Sequence, residues 1–536
     1  MCACERGWSE VRDRAIRVTA EAVRRPVRRV RRHWRTATPQ QRQTWRLAAG
    51  SAAAGLAVAV TVVAVAGPWD QGQRTAERTR AVARDAGSGG NHTPGDVRPA
   101  PRAPGVLTAL GGDGGSGDGS DDGSDGDEAA GNGADNVPPP TPDGLADALR
   151  PLLKDPALGP VRSASVLDVG SGQQLFAADP TRAVTPASTV KLATAVAALS
   201  ARGADHRIAT RTVRGDGDSV VLVGGGDPTV TAEDLDRLAA ATAESLKSAA
   251  EEDGEDGARK DGAARPEVSV RYDTSRYTGT TRHPLGPNEN LAPVTPLMVD
   301  EGRLDDSTHG PAPRSTDPAG DAAEAFADRL AKEGVEVTGE PRKAEAPAKA
   351  EQLAVHRSAP TSSLVERMLT HSDNDIGEAL ARQTALADGA PADFDGAGDA
   401  VRDRLAKLGL PVKGAKIVDG SGLDRTGKVP AELLTRVLAL AADPDRPELR
   451  PALTGLPVAG FSGTLDRRYA DAERGAGLVR AKTGTLTGVN TLAGSVVDAD
   501  GRLLVFAFMT TGTTDREGAQ KALDKLASSL ANCGCR

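Results

Sequence analysis

The stretch "TPASTVKLATAVAAL", residues 185–199, decides the fold: it sets Ser188 and Lys191 three apart at the head of an Ala-rich helical pattern. Residues three apart on a helix share one face, so the lysine amine can reach the serine hydroxyl. A serine hydroxyl is a weak nucleophile and needs a base beside it. An ammonium cannot accept a proton, so the lysine serves only where burial or a neighbouring cation lowers its pKa. Pro186, Ala187, Val190, Leu192 and Ala193 surround the pair with apolar side chains. Ser188 also stands near the helix start, where free backbone N–H groups can hold an oxyanion. S-x-x-K alone is a weak signal, expected about once by chance in a chain this long.

Two later stretches change the odds. In "MLTHSDNDIGEALARQ" (368–383), Ser372 and Asn374 are two apart, so in a turn between helices both can point into one cavity. Read alone, that run is an ordinary set of helix-capping residues. In "RAKTGTLTGVN" (480–490), Lys482-Thr483-Gly484 reads as an edge strand whose lysine and hydroxyls face a cleft and receive a carboxylate. Its glycine permits close backbone approach. Read alone, it is a charged strand running into a turn. S-x-x-K, S-D-N and K-T-G, in that order on helix, loop and strand, form the signature of penicillin-binding proteins and class A β-lactamases.

The spacing narrows the choice. About 180 residues separate Lys191 from Ser372, room for an inserted domain. This resembles the S13 family of D-alanyl-D-alanine carboxypeptidases/endopeptidases, which are low-molecular-mass penicillin-binding proteins. "VLVGGGDPT" (221–229), "LAPVTPLMVD" (291–300), "DGSGLDR" (419–425) and "SGTLDRR" (462–468) carry the same likeness, which runs from about 145 to 530. The resemblance implies an α/β transpeptidase fold: an antiparallel sheet flanked by helices, with a large domain inserted between S-x-x-K and S-D-N. It implies Ser188 as nucleophile, Lys191 as its base, and Ser372, Asn374 and Lys482 as the proton relay and acyl-amide holders. Thr483, Gly484 and Thr485 would bind the substrate carboxylate, with the Ser188 and Thr485 amides as oxyanion hole, and Arg425 would help bind the peptide stem. Peptidoglycan stem peptides are the implied substrate and β-lactams the implied inhibitors, with no cofactor and no metal. In one departure, "GPNENLAPV" offers Glu289 and no aromatic where the family grips the free amino end of the stem.

The rest of the chain frames this centre. Residues 1–46 hold thirteen arginines against four acids, yet the whole chain carries −8, so a short basic head precedes an acidic body. Residues 47–69 carry no charge and are long enough as a helix to cross a bilayer. Arginines before such a span hold its N-terminus in the cytoplasm, giving a single-pass anchor with the catalytic part outside. The competing reading is cleavage near Ala66 and secretion. Residues 70–141 are acidic and rich in Gly, Ser and Pro, too polar to bury a core, and read as a linker. Their D-x-D pieces lack the closing Glu of a calcium loop. Nucleic acid is not an expected partner.

The folded part divides into 142–204 and 357–531 as the catalytic domain, with 205–356 inserted and a Cys-containing tail at 532–536. "SASVLDVGSGQQLFAADP" (163–180) reads as two strands about a turn, residues 244–267 as a loose surface loop, and 477–512 as three antiparallel strands before a last helix. No βαβ rhythm is evident. Cys2, Cys4, Cys533 and Cys535 sit at the extremes, too far out to staple the middle; the last pair reads as exposed, with a bridge between the two or to another chain as the alternative. Two other functions compete. A β-lactamase needs a deacylating Glu in E-x-x-L-N, which is absent from the sequence. A silent sensor of wall fragments or penicillin would keep the motifs without turnover.

Overall fold

The computed structural model describes residues 138–255, 266–469 and 474–535. The segments read as basic head, membrane span and nearly all of the linker, with the cleavage site near Ala66, lie outside them. Among the described residues no helix is long and apolar enough to cross a membrane.

Helix α1 (Pro142–Leu153) starts on a Thr141 cap whose hydroxyl accepts the Gly144 N–H, with proline at its first position. Strands β1 (Val161–Asp168) and β2 (Gln174–Ala178) form the hairpin expected around Gly170–Gly172. A tight turn at Ala187–Val190 then leads into α2 (Lys191–Arg202). Strands β3 (Arg207–Arg214) and β4 (Ser219–Val223) pair antiparallel, and helix α3 (Ala232–Glu255) follows. The loose loop expected from residue 244 is therefore helical as far as 255. Leu235, Leu238, Ala239, Ala243 and Leu246 recur at helical spacing and are buried, and they carry the polar last turns along.

Strand β5 (Glu267–Asp273) lies parallel to β4, so β4–α3–β5 is a βαβ crossover that the alternation of elements did not reveal. Helix α4 (Pro318–Lys332) and strand β6 (Gln352–Pro360) complete this part, whose sheet has the order β5–β4–β3–β6 with two-residue strands against β5. Helices α5 (Thr361–His371) and α6 (Asn374–Ala387) are broken apart at Ser372, and α7 (Phe394–Lys407) and α8 (Ala431–Ala441) follow. Strands β7 (Arg480–Leu486), β8 (Val489–Val497) and β9 (Leu503–Thr511) are the expected antiparallel run, closed by α9 (Arg516–Ala531).

The first sheet has the order β7–β8–β9–β1–β2 and is antiparallel throughout. Alternate residues of β9 feed two cores. Val505, Ala507 and Met509 face α2, α5, α6 and α8, while Leu504, Phe506 and Phe508 face α1 and α9. A separate core joins the second sheet to α3 and α4 through Val220, Leu222, Val270, Phe326 and Leu330. Helix α2 is buried along nine consecutive residues, which explains its alanines: only small side chains fit with helices packed all round. The tail corrects the reading of an exposed cysteine pair. Cys533 is buried in the α1–α9 core and disulfide-bonded to Cys535, whose carbonyl accepts the Thr141 N–H.

Candidate active site

Ser188 sits in the turn before α2, and the residue before it, Ala187, has the left-handed backbone angle φ 47°. A non-glycine residue held there costs of order 1–3 kcal/mol and persists only where its surroundings enforce it. Here the surroundings are close on two sides. A Cβ on Gly422 would stand 2.1 Å from the Ala187 carbonyl oxygen. One on Gly484 would stand 2.1 Å from Thr491 Oγ1 and 2.8 Å from the Pro186 carbonyl oxygen. The glycine of K-T-G therefore lets edge strand β7 lie against the serine turn.

Lys191 is fully buried. Its Nζ lies 2.6 Å from the Ser421 carbonyl oxygen, 2.7 Å from Asn374 Oδ1 and 3.2 Å from Ser188 Oγ. Asn374 Nδ2 donates to the Asn290 carbonyl at 2.9 Å, which turns its oxygen toward the lysine. Burial pushes Lys191 down to about 8, against the pull of Asp419, Asp373, Glu378 and Asp375. A neutral amine has two N–H donors and one lone pair. The two short contacts are to oxygens that only accept, so in the neutral form the lone pair is left for the hydroxyl of Ser188.

Ser372 takes the left-handed conformation, φ 59°, at the end of α5, and so turns the chain between two helices. Its Oγ accepts Lys482 Nζ at 2.9 Å, and the same amine donates to the Thr483 carbonyl at 2.7 Å. Burial, and then the charge of Lys191, push Lys482 well below the usual lysine range. Lys482 reaches the cleft through Ser372, from the opposite side of the strand to its threonine. Lys482 and Gly484 are buried on one side of β7, and Thr483 and Thr485 are partly exposed on the other.

Ser188, Ser372, Asn374, Thr483 and Thr485 line one cavity of about 450 Å³. Thr483 Oγ1 donates to Thr464 Oγ1 at 2.9 Å, and Gln520 Nε2 lies 3.5 Å from Thr485 Oγ1. Arg425 is not brought to the cavity. It is exposed and donates to the Thr487 carbonyl, at 2.9 and 2.5 Å, in the β7–β8 turn. Cations on the cavity wall come instead from Arg303, Arg314, Arg468 and Arg516. Glu289 is exposed and borders a separate cavity of about 220 Å³ with Arg282 and His283.

Sequence reasoning missed the Ser421 carbonyl, Asn290, Thr464 and Gln520. "DGSG", "SGTL" and "GPNENLAPV" marked three of the segments, but a backbone carbonyl has no residue-type signature. Beneath the S-D-N turn, Glu301, Asp373 and Asp375 meet Arg303, Arg314 and Arg367 in a buried ion cluster. Burial raises the carboxyls of Glu301 and Asp375. The turn is thus tied to the 301–314 loop from below.

The family described as D-Ala-D-Ala carboxypeptidase 3 (S13) matches residues 145–313 and 305–532 of this chain. A carboxypeptidase of Mycobacterium tuberculosis is 38% identical over 417 residues, covering 75% of this chain and 87% of that one. The D-alanyl-D-alanine carboxypeptidase of Actinomadura sp. is 30% identical over 439 residues, covering 69% and 81%. The crystal structure of penicillin binding protein 4 from Haemophilus influenzae superposes with a TM-score of 0.58 at 22% identity, covering 73% and 99%. The last is a likeness of fold.

Proposed function

The chain belongs to the D-Ala-D-Ala carboxypeptidase S13 family and is a serine-type carboxypeptidase; from that premise we propose that it cleaves peptidoglycan stem peptides through an acyl-enzyme on Ser188. The observation that carries this is the set of contacts at Lys191 Nζ. Two acceptors hold its N–H groups and the remaining contact is the hydroxyl of Ser188.

Lys191 takes the Ser188 proton as the oxygen attacks the carbonyl of the penultimate D-Ala. The Ser188 and Thr485 amides receive the oxyanion. Ser372, in contact with Lys482, relays that proton from Lys191 to the departing amine as the C–N bond breaks, so that D-Ala leaves and Lys191 is neutral again. Water then hydrolyses the ester. Thr483 and Thr485 hold the terminal carboxylate from the partly exposed side of β7. Penicillins, which carry a carboxylate beside a reactive amide, enter the same way and leave Ser188 acylated. A cavity of about 450 Å³ supports a leaving group larger than D-Ala, and with it a second activity on cross-links as an endopeptidase. The uncharged stretch 47–69 anchors it in the cell membrane, the N-terminus stays inside, and the acidic linker reaches from the anchor to α1.

The test is mass analysis of monomeric and cross-linked peptidoglycan after exposure to the purified enzyme and to its Ser188→Ala variant. Loss of one D-Ala per stem, and of cross-links, is expected with the enzyme alone. Equal products from both proteins would move the nucleophile elsewhere.

A further inference from the structure

Glu378 stands one turn beyond Asn374 on α6, is fully buried, and has no part in the chemistry above. Its Oε1 accepts the Ser421 N–H at 3.0 Å and its Oε2 accepts Arg382 Nη1 at 2.9 Å. Arg382 is held in turn by aromatic faces, 4.3 Å from the Phe394 ring centre and 5.5 Å from that of Tyr277. The Ser421 carbonyl, which receives Lys191 Nζ, shares a peptide plane with the Gly422 N–H, and Asp419 Oδ1 takes that N–H at 2.9 Å. Two successive peptide planes of "DGSG" are thus clamped by two buried carboxylates. Packing leaves the segment no slack. A Cβ on Gly420 would stand 2.2 Å from the Gly377 carbonyl oxygen, and one on Gly377 would stand 3.3 Å from Lys191 Cε.

We propose that Glu378 is a positioning residue for acylation: it locks the Ser421 segment against α6, so that the Ser421 carbonyl aims Lys191 at Ser188. This rests on the reading of Lys191 as the base. A hydrogen bond held by a buried carboxylate is stronger than one between neutral groups, so with Glu378 on the Ser421 N–H and Asp419 on the Gly422 N–H the Ser421 carbonyl between them keeps its direction when the lysine takes up its proton. The same carboxylate acts through charge. The groups facing Lys191 are Asp419, Asp373, Glu378 and Asp375, which favour its protonated form, with Lys482 across the site. Around Glu378 itself stand Arg382, Asp419 and His283, the last paired with Asp419 at 3.0 Å.

The experiment is the pH dependence of the acylation rate of the full-length enzyme by a chromogenic cephalosporin. Glu378→Gln keeps an acceptor for Ser421 but loses the charge, so the acid limb should move down by about one pH unit with the plateau within about threefold. Glu378→Ala also loses the acceptor; its limb should move likewise and its plateau should fall about tenfold or more. Because single variants leave Arg382 unpaired, Glu378→Gln combined with Arg382→Met reports the same limb in a fold free of that charge. A limb within about 0.2 pH units of wild type in the folded glutamine variants overturns the proposal. So does failure of both glutamine variants to fold, which would make Glu378 a residue of stability. Lys191→Met separates the two ideas. If it still acylates, the base reading fails. If it is inert while the glutamine limb stays put, only the role of Glu378 fails.

Discussion

Two lysines are buried side by side in this site, and their surroundings differ. Lys191, on a helix, has four carboxylates around it and keeps a pKa of about 8. Lys482, on the edge strand, has the charge of Lys191 nearby and falls well below the usual lysine range. Burial lowers both. The carboxylates around Lys191 oppose the effect of burial and hold it at about 8, whereas the neighbour of Lys482 is a cation and adds to that effect.

The comparison breaks most visibly at Lys191. A guanidinium cannot deprotonate near neutral pH, so Lys191→Arg should lose about a thousandfold or more in penicillin labelling and D-Ala release. A variant keeping a tenth of the wild-type rate would end Lys191's part as base. In the wild type, the acylation rate should rise about tenfold per pH unit until the pH reaches about 8, then level off, since the lysine must be neutral to act.

Lys482→Met sharpens the contrast. It leaves Ser372 Oγ without its amine, for a loss of about ten- to a hundredfold. Its acid limb is expected to stay close to that of the wild type, since burial disfavours the charged form of Lys482. Removing a protonated Lys482 would raise the Lys191 pKa and carry the limb to higher pH, which would refute the difference between the two lysines.

Beyond the lysines, Thr485→Val should cost about one to two decades in kcat/KM on a peptide ending in a free acid. On the same peptide capped as an amide it should cost little more. Additive losses would take Thr485 off the carboxylate. The smallest effect belongs to Arg425→Ala, within about twofold on a stem peptide, because Arg425 is exposed and spends its guanidinium on the Thr487 carbonyl. A tenfold loss would restore it to the substrate.

What could be read in advance follows the range of the interaction. Ser188 and Lys191 lie one helical turn apart, so their contact is local and their spacing announces it. The three antiparallel strands and the hairpin before them are short-range as well, and alternation with turn residues marks them. Less local features escaped. The parallel pairing of β4 with β5 depends on a crossover whose last helical turns are polar, and the burial of Cys533 depends on α1 and α9 meeting across hundreds of residues.

The sequence by itself determined the reactive groups, their order along the chain and the family to which they belong, because residue type and spacing set local geometry. Only the tertiary structure decided which oxygens hold Lys191, which side of β7 each residue occupies, and that Arg425 stays outside the cavity. Those outcomes depend on backbone carbonyls, pleat direction and the packing of distant segments, none of which has a residue-type signature. The protonation of Lys191 belongs with them, since it is set by burial and by carboxylates that folding brings in from two places along the chain, Asp373, Asp375 and Glu378 at the head of α6 and Asp419 in the later loop.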